Sequence, residues 1–218
     1  MPLALSESLL LTGERYAPAG GFRSTNTKLP HNGMKVDAVA LSHGLLCAAL
    51  LDCEARGALR FEVDHTHKKV LFGLLARREI VTLYASAGRV HAYQAGSIEE
   101  RFCQLLRGGE IKVLDLIHAL LGADANDPWQ LTPGLVKDGL LQRSLLRNDA
   151  QKRLLFATQA LSVPHSTLAL LRVEADQDIA HLLDHSKLQR PQLWGLLNEA
   201  IGAAHSARRK WDHSFRDR

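Results

Sequence analysis

Lys35-Val-Asp-Ala-Val-Ala-Leu-Ser-His-Gly-Leu-Leu-Cys-Ala-Ala-Leu-Leu-Asp-Cys-Glu-Ala-Arg56 runs without a break into Gly57-Ala-Leu-Arg-Phe-Glu-Val63, and this junction decides the fold. In the first part Val36, Val39, Leu41, Leu45, Leu46, Ala49, Leu50 and Cys53 recur at helical spacing, and Gly57 stands where a helix stops. In the second, Leu59, Phe61 and Val63 alternate with Arg60 and Glu62 as in a half-buried strand. Asp64 to Lys69 then reads as the turn and Val70-Leu-Phe as the returning strand. A helix followed at once by a hairpin is the order of a winged-helix unit.

Outward from this junction the order returns in a second place. Helical patterns at Ser97–Leu106 and Lys112–Leu121 end at Gly122 and a loop to Pro128. Leu135–Arg147 follows with Gly139 interrupting it, then the turn signal Asn148-Asp149 and the apolar Leu154-Leu155-Phe156. Arg56-Gly57 and Asp138-Gly139 thus stand at matching points of two similar units. Leu5–Leu11 reads as a short apolar helix, and Thr12–Gly33 as a long loop, either functional or partly disordered. The last third is helical over Ser166–Glu174, Ile179–Leu183 and Gln192–Ala204, with Leu193, Leu196, Leu197, Ala200 and Ile201 on one stripe. The fold class expected is mainly α, one helical domain over residues 1–218 with β-hairpins and winged-helix-like units. From His205 to Arg218 the chain is a basic tail, which reads as a frayed, solvated terminus.

The chain has 218 residues, 46% of them hydrophobic, which is enough for one substantial core. Charged residues at 23% interrupt every apolar run before the length of a membrane span, and the stretch before Leu9 lacks the basic leader of a secretion signal. Cys47, Cys53 and Cys103 are odd in number and form no Cys-x-x-Cys pair, so they read as apolar residues in a reducing compartment. The formal net charge of +4 and a pI near 9.1 favour an anionic partner, either nucleic acid or membrane headgroups. Arg208, Arg209 and Lys210 beside Trp211 hold much of that excess.

No nucleophile elbow, Walker loop or dinucleotide fingerprint occurs, so no enzymatic activity and no cofactor is expected. Ser42 and His43 are helix neighbours and point apart. His181 and His185, four apart, could face one metal, but no third ligand or glutamate base accompanies them, so a structural role is expected. Asp64-His65-Thr66-His67 reads as a solvated wing. Leu154-Leu155-Phe156 reads either as a core strand or, between Lys152-Arg153 and Thr158-Gln159, as an interfacial anchor.

Three stretches together resemble the Golgi phosphoprotein 3 family. His43–Glu62 is similar to its small-residue helix ending in an Arg-Gly turn and strand. Leu135-Val-Lys-Asp-Gly-Leu-Leu141, ahead of Leu154-Leu155-Phe156, is similar to its Leu-Val-x-x-Gly turn and apolar hairpin. Ser6-Glu-Ser-Leu-Leu-Leu11 is similar to its leading helix. The resemblance implies a cytoplasmic peripheral membrane adaptor, on the Golgi in a eukaryote, that binds phosphatidylinositol 4-phosphate in a basic pocket and dips a hairpin into lipid. It implies cytosolic tails of membrane proteins as partners. Leu154, Leu155 and Phe156 are the lipid-binding positions it implies, together with Arg153, which stands where the family has an aromatic.

The pocket departs from the family pattern. Asp37 stands at the pocket tryptophan, Leu46 at the arginine that follows on the same helix, and Ala125 and Pro128 at two further arginines. Loss of those guanidinium groups removes bidentate phosphate recognition. The alternative function is a winged-helix DNA-binding regulator, against which stands the apolar character of Lys35–Cys53, since a recognition helix needs basic and amide side chains on one face.

Overall fold

The computed structural model describes residues 3–21, 25–69, 77–122, 127–153, 156–171 and 173–214. Within them the protein is mainly helical, with eight α-helices and three small antiparallel sheets. The core element is α2 (Ala38–Ala55), packed by α1 (Leu5–Leu11), α3 (Ile98–Leu105), α5 (Pro128–Gln142), α7 (Val173–Gln189) and α8 (Pro191–Ser214). Its apolar residues lie all round the axis, which suits a helix enclosed on every side. Leu45 to Leu51 are buried without interruption. α2 has the length and apolar composition of a membrane span, yet 67% of it is buried inside the fold.

Local chemistry sets both ends of α2. Asp37 caps the start, its carboxylate accepting the Ala40 N–H at 2.8 Å, a contact worth about 1 kcal/mol. Lys35–Asp37, expected as helix, is instead the strand β2, paired antiparallel with β1 (Asn26–Lys28). Part of the long loop is therefore ordered sheet. At the far end the Gly57 N–H donates to Glu54 O and the Ala58 N–H to Cys53 O, both at 2.8 Å, with Gly57 at φ +71°. This is a Schellman closure, and it turns the chain directly into β3.

β3 (Leu59–Lys69) and β4 (Arg77–Ala87) form a hairpin of eleven paired rungs. Asp64–Lys69 is thus strand and not the turn expected; Val70-Leu-Phe lies outside the described residues. Leu59, Leu83 and Ala85 bury the base of the hairpin, where the short β5 (Ile111–Lys112) pairs with Tyr84 and Ala85. From Glu62 to His67 every residue is exposed. The arm leaves the core, and polar residues on both of its faces are what sequence reading took for a turn.

α4 (Val113–Leu121) packs against α8, and α5 against α2. α5 begins with Pro128 at its first helical position, where proline loses no hydrogen bond. Gly139 does not interrupt it. A Cβ there would come within 2.4 Å of Gly96 O, so the glycine permits close approach of α5 to the loop before α3. The residue equivalent to Gly57 is Ser144: at φ 59° its N–H donates to Leu141 O at 2.9 Å, and the Leu145 N–H donates to Leu140 O at 2.8 Å. A second Schellman closure then feeds the hairpin of β6 (Arg147–Arg153) and β7 (Phe156–Ser162), in which Asn148 and Asp149 are strand residues, not a turn. The short α6 (His165–Leu168) follows, tied back where Thr167 Oγ1 donates to Leu145 O at 2.9 Å.

A buried polar network holds α1 in place. Every residue of this seven-residue helix is buried, although it carries Glu7 and two serines. The Ala4 N–H donates to Glu7 Oε2 at 2.9 Å, and Arg143 donates to Glu7 Oε1 from the end of α5. Ser6 donates twice to Glu99 on α3, from N to Oε1 and from Oγ to Oε2, each at 2.9 Å. Burial pushes the Glu99 carboxyl up to about 7, although the Ser6 N–H pulls it down. A raised carboxyl stabilises the fold fully below its ordinary 4.5, and that contribution is lost as pH rises through about 7. Glu99→Gln is therefore expected to shrink the fall in stability between about pH 5 and about pH 8 by on the order of 3 kcal/mol. Urea unfolding at the two pH values measures this; an unchanged fall in the variant would assign it to other groups.

Candidate functional site

The β6–β7 register runs from Arg147 opposite Ser162 to Arg153 opposite Phe156. Arg153 and Phe156 form the closing rung, and Leu154 and Leu155, the connection in sequence, lie outside the described residues. Lys152 occupies the preceding rung opposite Ala157. The hairpin is rooted by Leu146, which is buried in the core, while Arg147 and Asn148 are already exposed. The chain order at the far end is cation, cation, then three apolar residues.

Of the four positions where the sequence departs from the family pocket, three lie among the described residues. Asp37 and Pro128 come to one region, because Asn26, which pairs with Asp37, accepts a hydrogen bond through its carbonyl from Gln130 Nε2 at 3.1 Å, two residues into α5. Asp37 is engaged in capping α2 and Pro128 is buried. Leu46 lies nine residues further along α2, roughly 14 Å at the helical rise. It is 0% exposed. Ala125 is outside the described residues.

Cations that sequence reasoning passed over lie beside Asp37. Lys28 and Lys35 are exposed and directly opposite across β1–β2. Lys137 Nζ donates to Lys28 O at 3.2 Å and to Thr27 Oγ1 at 3.4 Å, and burial holds its ammonium below the ordinary lysine range. The signal available in sequence was the pair of lysines flanking the Pro30–Gly33 turn, legible only once β1 and β2 are known to pair.

The remaining candidates have structural partners. Ser42 Oγ and His205 Nε2 are 3.2 Å apart in the core, with His205 edge-on to Trp129 at 5.0 Å between ring centroids. His43 Nε2 meets Asn198 Oδ1 at 2.6 Å, so Ser42 and His43 are each engaged with a different residue of α8. His181 and His185 stack with centroids 5.8 Å apart on the exposed side of α7. Among the described residues no group of three or more His, Cys, Asp or Glu is placed to hold a metal. Cys47 and Cys53 are buried and Cys103 is half-buried. α8 keeps helical backbone through Ser214 and so includes Arg208, Arg209 and Lys210.

The fold and its site define a helical domain with two longer hairpins, each fed by a helix closed in a Schellman turn. No family model matches the chain, and no curated protein matches it in sequence.

Proposed function

We propose that this protein is a peripheral membrane adaptor resembling the Golgi phosphoprotein 3 family, held to anionic lipid by the end of the β6–β7 hairpin. The observation that carries the reading is the β6–β7 pairing, which follows buried Leu146, has Arg147 and Asn148 exposed, and closes at Arg153–Phe156. Apolar side chains bury about 1.5–3 kcal/mol each when fully removed from water, and a cation near an anionic surface adds about 1 kcal/mol. Three apolar residues beside Lys152 and Arg153 match an interfacial anchor with flanking cations. The adaptor sits on the cytoplasmic face of a membrane, Golgi in a eukaryotic cell, and the tails of membrane proteins are its cargo.

Its lipid preference is for negative charge in general. Leu46 is enclosed by the core and Pro128 is buried, so neither position supplies a guanidinium to a phosphoinositide headgroup. The winged-helix reading draws on the helix-then-hairpin order seen twice. For DNA it would need α2 to enter a groove, and the burial of Leu45–Leu51 opposes that.

Cosedimentation with neutral, phosphatidylserine-containing and phosphoinositide-containing vesicles, at low and physiological salt, tests the reading. Wild type should bind both anionic preparations alike, and Leu155→Asp should lose about tenfold or more in partitioning while remaining folded. No binding to anionic vesicles, or full binding by Leu155→Asp, would overturn the assignment. A strong phosphoinositide preference would show that the departed pocket has a replacement.

A further inference from the structure

We propose that Cys53 and Cys103 form a dithiol site at which a small hydroperoxide closes a reversible disulfide between α2 and α3. The two residues stand on different helices, Cys53 in the last turn of α2 and Cys103 within α3. Cys53 Sγ donates to Glu99 O at 3.8 Å. That carbonyl lies four residues before Cys103, so it is the acceptor that the helical ladder assigns to the Cys103 N–H. One backbone oxygen thus holds both cysteines, and their thiols are partners in a side-chain hydrogen bond. To bond, the sulfurs need only close from that contact to about 2.05 Å.

The two thiols differ in the way an attacking and a resolving cysteine must. Cys53 is 0% exposed and Cys103 is half-buried, so Cys103 is the one a small oxidant reaches. Contact with Cys53 holds the Cys103 thiol below its ordinary range, and Arg107 one turn further along α3 adds to this, against burial and the Glu99 and Glu100 carboxylates. The same contact, together with burial, pushes the Cys53 thiol up. An accessible thiolate beside a protonated internal thiol is the arrangement of redox-sensing cysteines. Cys47 on the same helix supplies the comparison: it is 1% exposed, and burial alone pushes it up to about 12, as for a thiol that only fills space.

The reaction has two steps. The Cys103 thiolate attacks the terminal oxygen of the hydroperoxide, the O–O bond breaks, and the departing alkoxide takes the proton that Cys103 released and leaves as an alcohol. Cys103 is then a sulfenic acid. The Cys53 sulfur attacks the Cys103 sulfur, the S–O bond breaks, and the hydroxide leaves with the Cys53 proton as water. Two thiols have lost two hydrogens in all, and one hydroperoxide has become an alcohol and water. A low-molecular-weight thiol reverses the change by exchange, as suits a transient disulfide in a reducing compartment. The Ala58 N–H donates to Cys53 O within the Schellman closure, so the new bond ties the root of the β3–β4 hairpin to α3.

The test treats the reduced full chain with a few equivalents of hydrogen peroxide at neutral pH, blocks the remaining thiols by alkylation, and maps the cysteines by mass spectrometry without reduction. Free thiols should fall from three to one, with a loss of about 2 Da before alkylation. A cross-linked peptide pair should contain Cys53 and Cys103, and dithiothreitol should restore every thiol. Cys103→Ser should keep both of its thiols under the same treatment. In Cys53→Ala the oxidised Cys103 has no resolving partner, so it should gain about 16 Da and react with dimedone. Cys47→Ser should form the link as wild type does. Three free thiols in treated wild type, or a link made through Cys47, overturns the inference. Sulfinic acid at Cys103 with Cys53 still free overturns it too. The wild-type map decides by itself, so a variant that fails to fold does not shield the proposal.

Discussion

Leu46→Arg should abolish the folded state and not rebuild a phosphate pocket. The family resemblance places a pocket arginine at this position, so simple restoration would predict a gain in phosphoinositide affinity. The geometry predicts the opposite. Leu46 is wholly buried on α2, which is packed by α1, α3, α5, α7 and α8. A guanidinium there would be desolvated with no carboxylate built to meet it, and an unpaired buried charge costs several kcal/mol even after relaxation. About 5 kcal/mol or more is a large share of the 5–15 kcal/mol that holds a typical domain together. Leu46→Met, which conserves volume, should cost less than about 1.5 kcal/mol. Soluble yield and urea unfolding read the difference. A Leu46→Arg protein that melts near wild type and binds phosphoinositide would show that this face of α2 is open.

Arg143→Met should lower stability by about 3–5 kcal/mol, the cost of leaving one member of a buried pair without the other. Glu7 is 0% exposed, and its carboxyl is pushed upward by burial against the pull of the Ala4 N–H and of Arg143. Without the guanidinium that carboxyl must either remain charged in the core or take up a proton, burial pushing it further upward. Either route penalises the folded state. The double variant Glu7→Leu/Arg143→Met should recover much of the loss, because removing both partners leaves no orphaned charge. A double-mutant cycle on unfolding free energies isolates the coupling. Equal stability of wild type and Arg143→Met would mean that solvent reaches the pair and screens it.

The parts of the fold legible in sequence are those where one face is apolar. Leu5–Leu11 is helix over the residues its leucines mark, and α2 ends at the glycine expected. Strand alternation was readable from Leu59 to Val63, of which only Leu59 and Phe61 reach the core, and failed beyond it. Asp64–Lys69 and Asn148-Asp149 are strand residues, and Asp64 to His67 and Asn148 are exposed, so nothing in their order has period two. Gly139 misled because glycine commonly marks a helix end, whereas here it admits Gly96, and Ser144 takes the left-handed turn instead. At the candidate site, the order of cations and apolar residues from Lys152 to Phe156 was readable, whereas the register that pairs Arg153 with Phe156 was not, since the sequence sets its turn signal at Asn148-Asp149. The internal places of Glu7 and Glu99 were not legible in sequence, since their partners Arg143 and Ser6 stand 136 and 93 residues away along the chain.

The two Schellman closures, at Gly57 and Ser144, also bear on how such a protein can diverge. Each hairpin departs through a turn whose hydrogen bonds are made within the preceding helix and its immediate continuation. The strands pair chiefly with one another, so inheritance can rewrite the hairpins, lengthen them or alter their charge without disturbing the helices. A lineage can thereby retarget its attachment while conserving its scaffold, and comparison of distant descendants would find the helices recognisable long after the extremities had ceased to be.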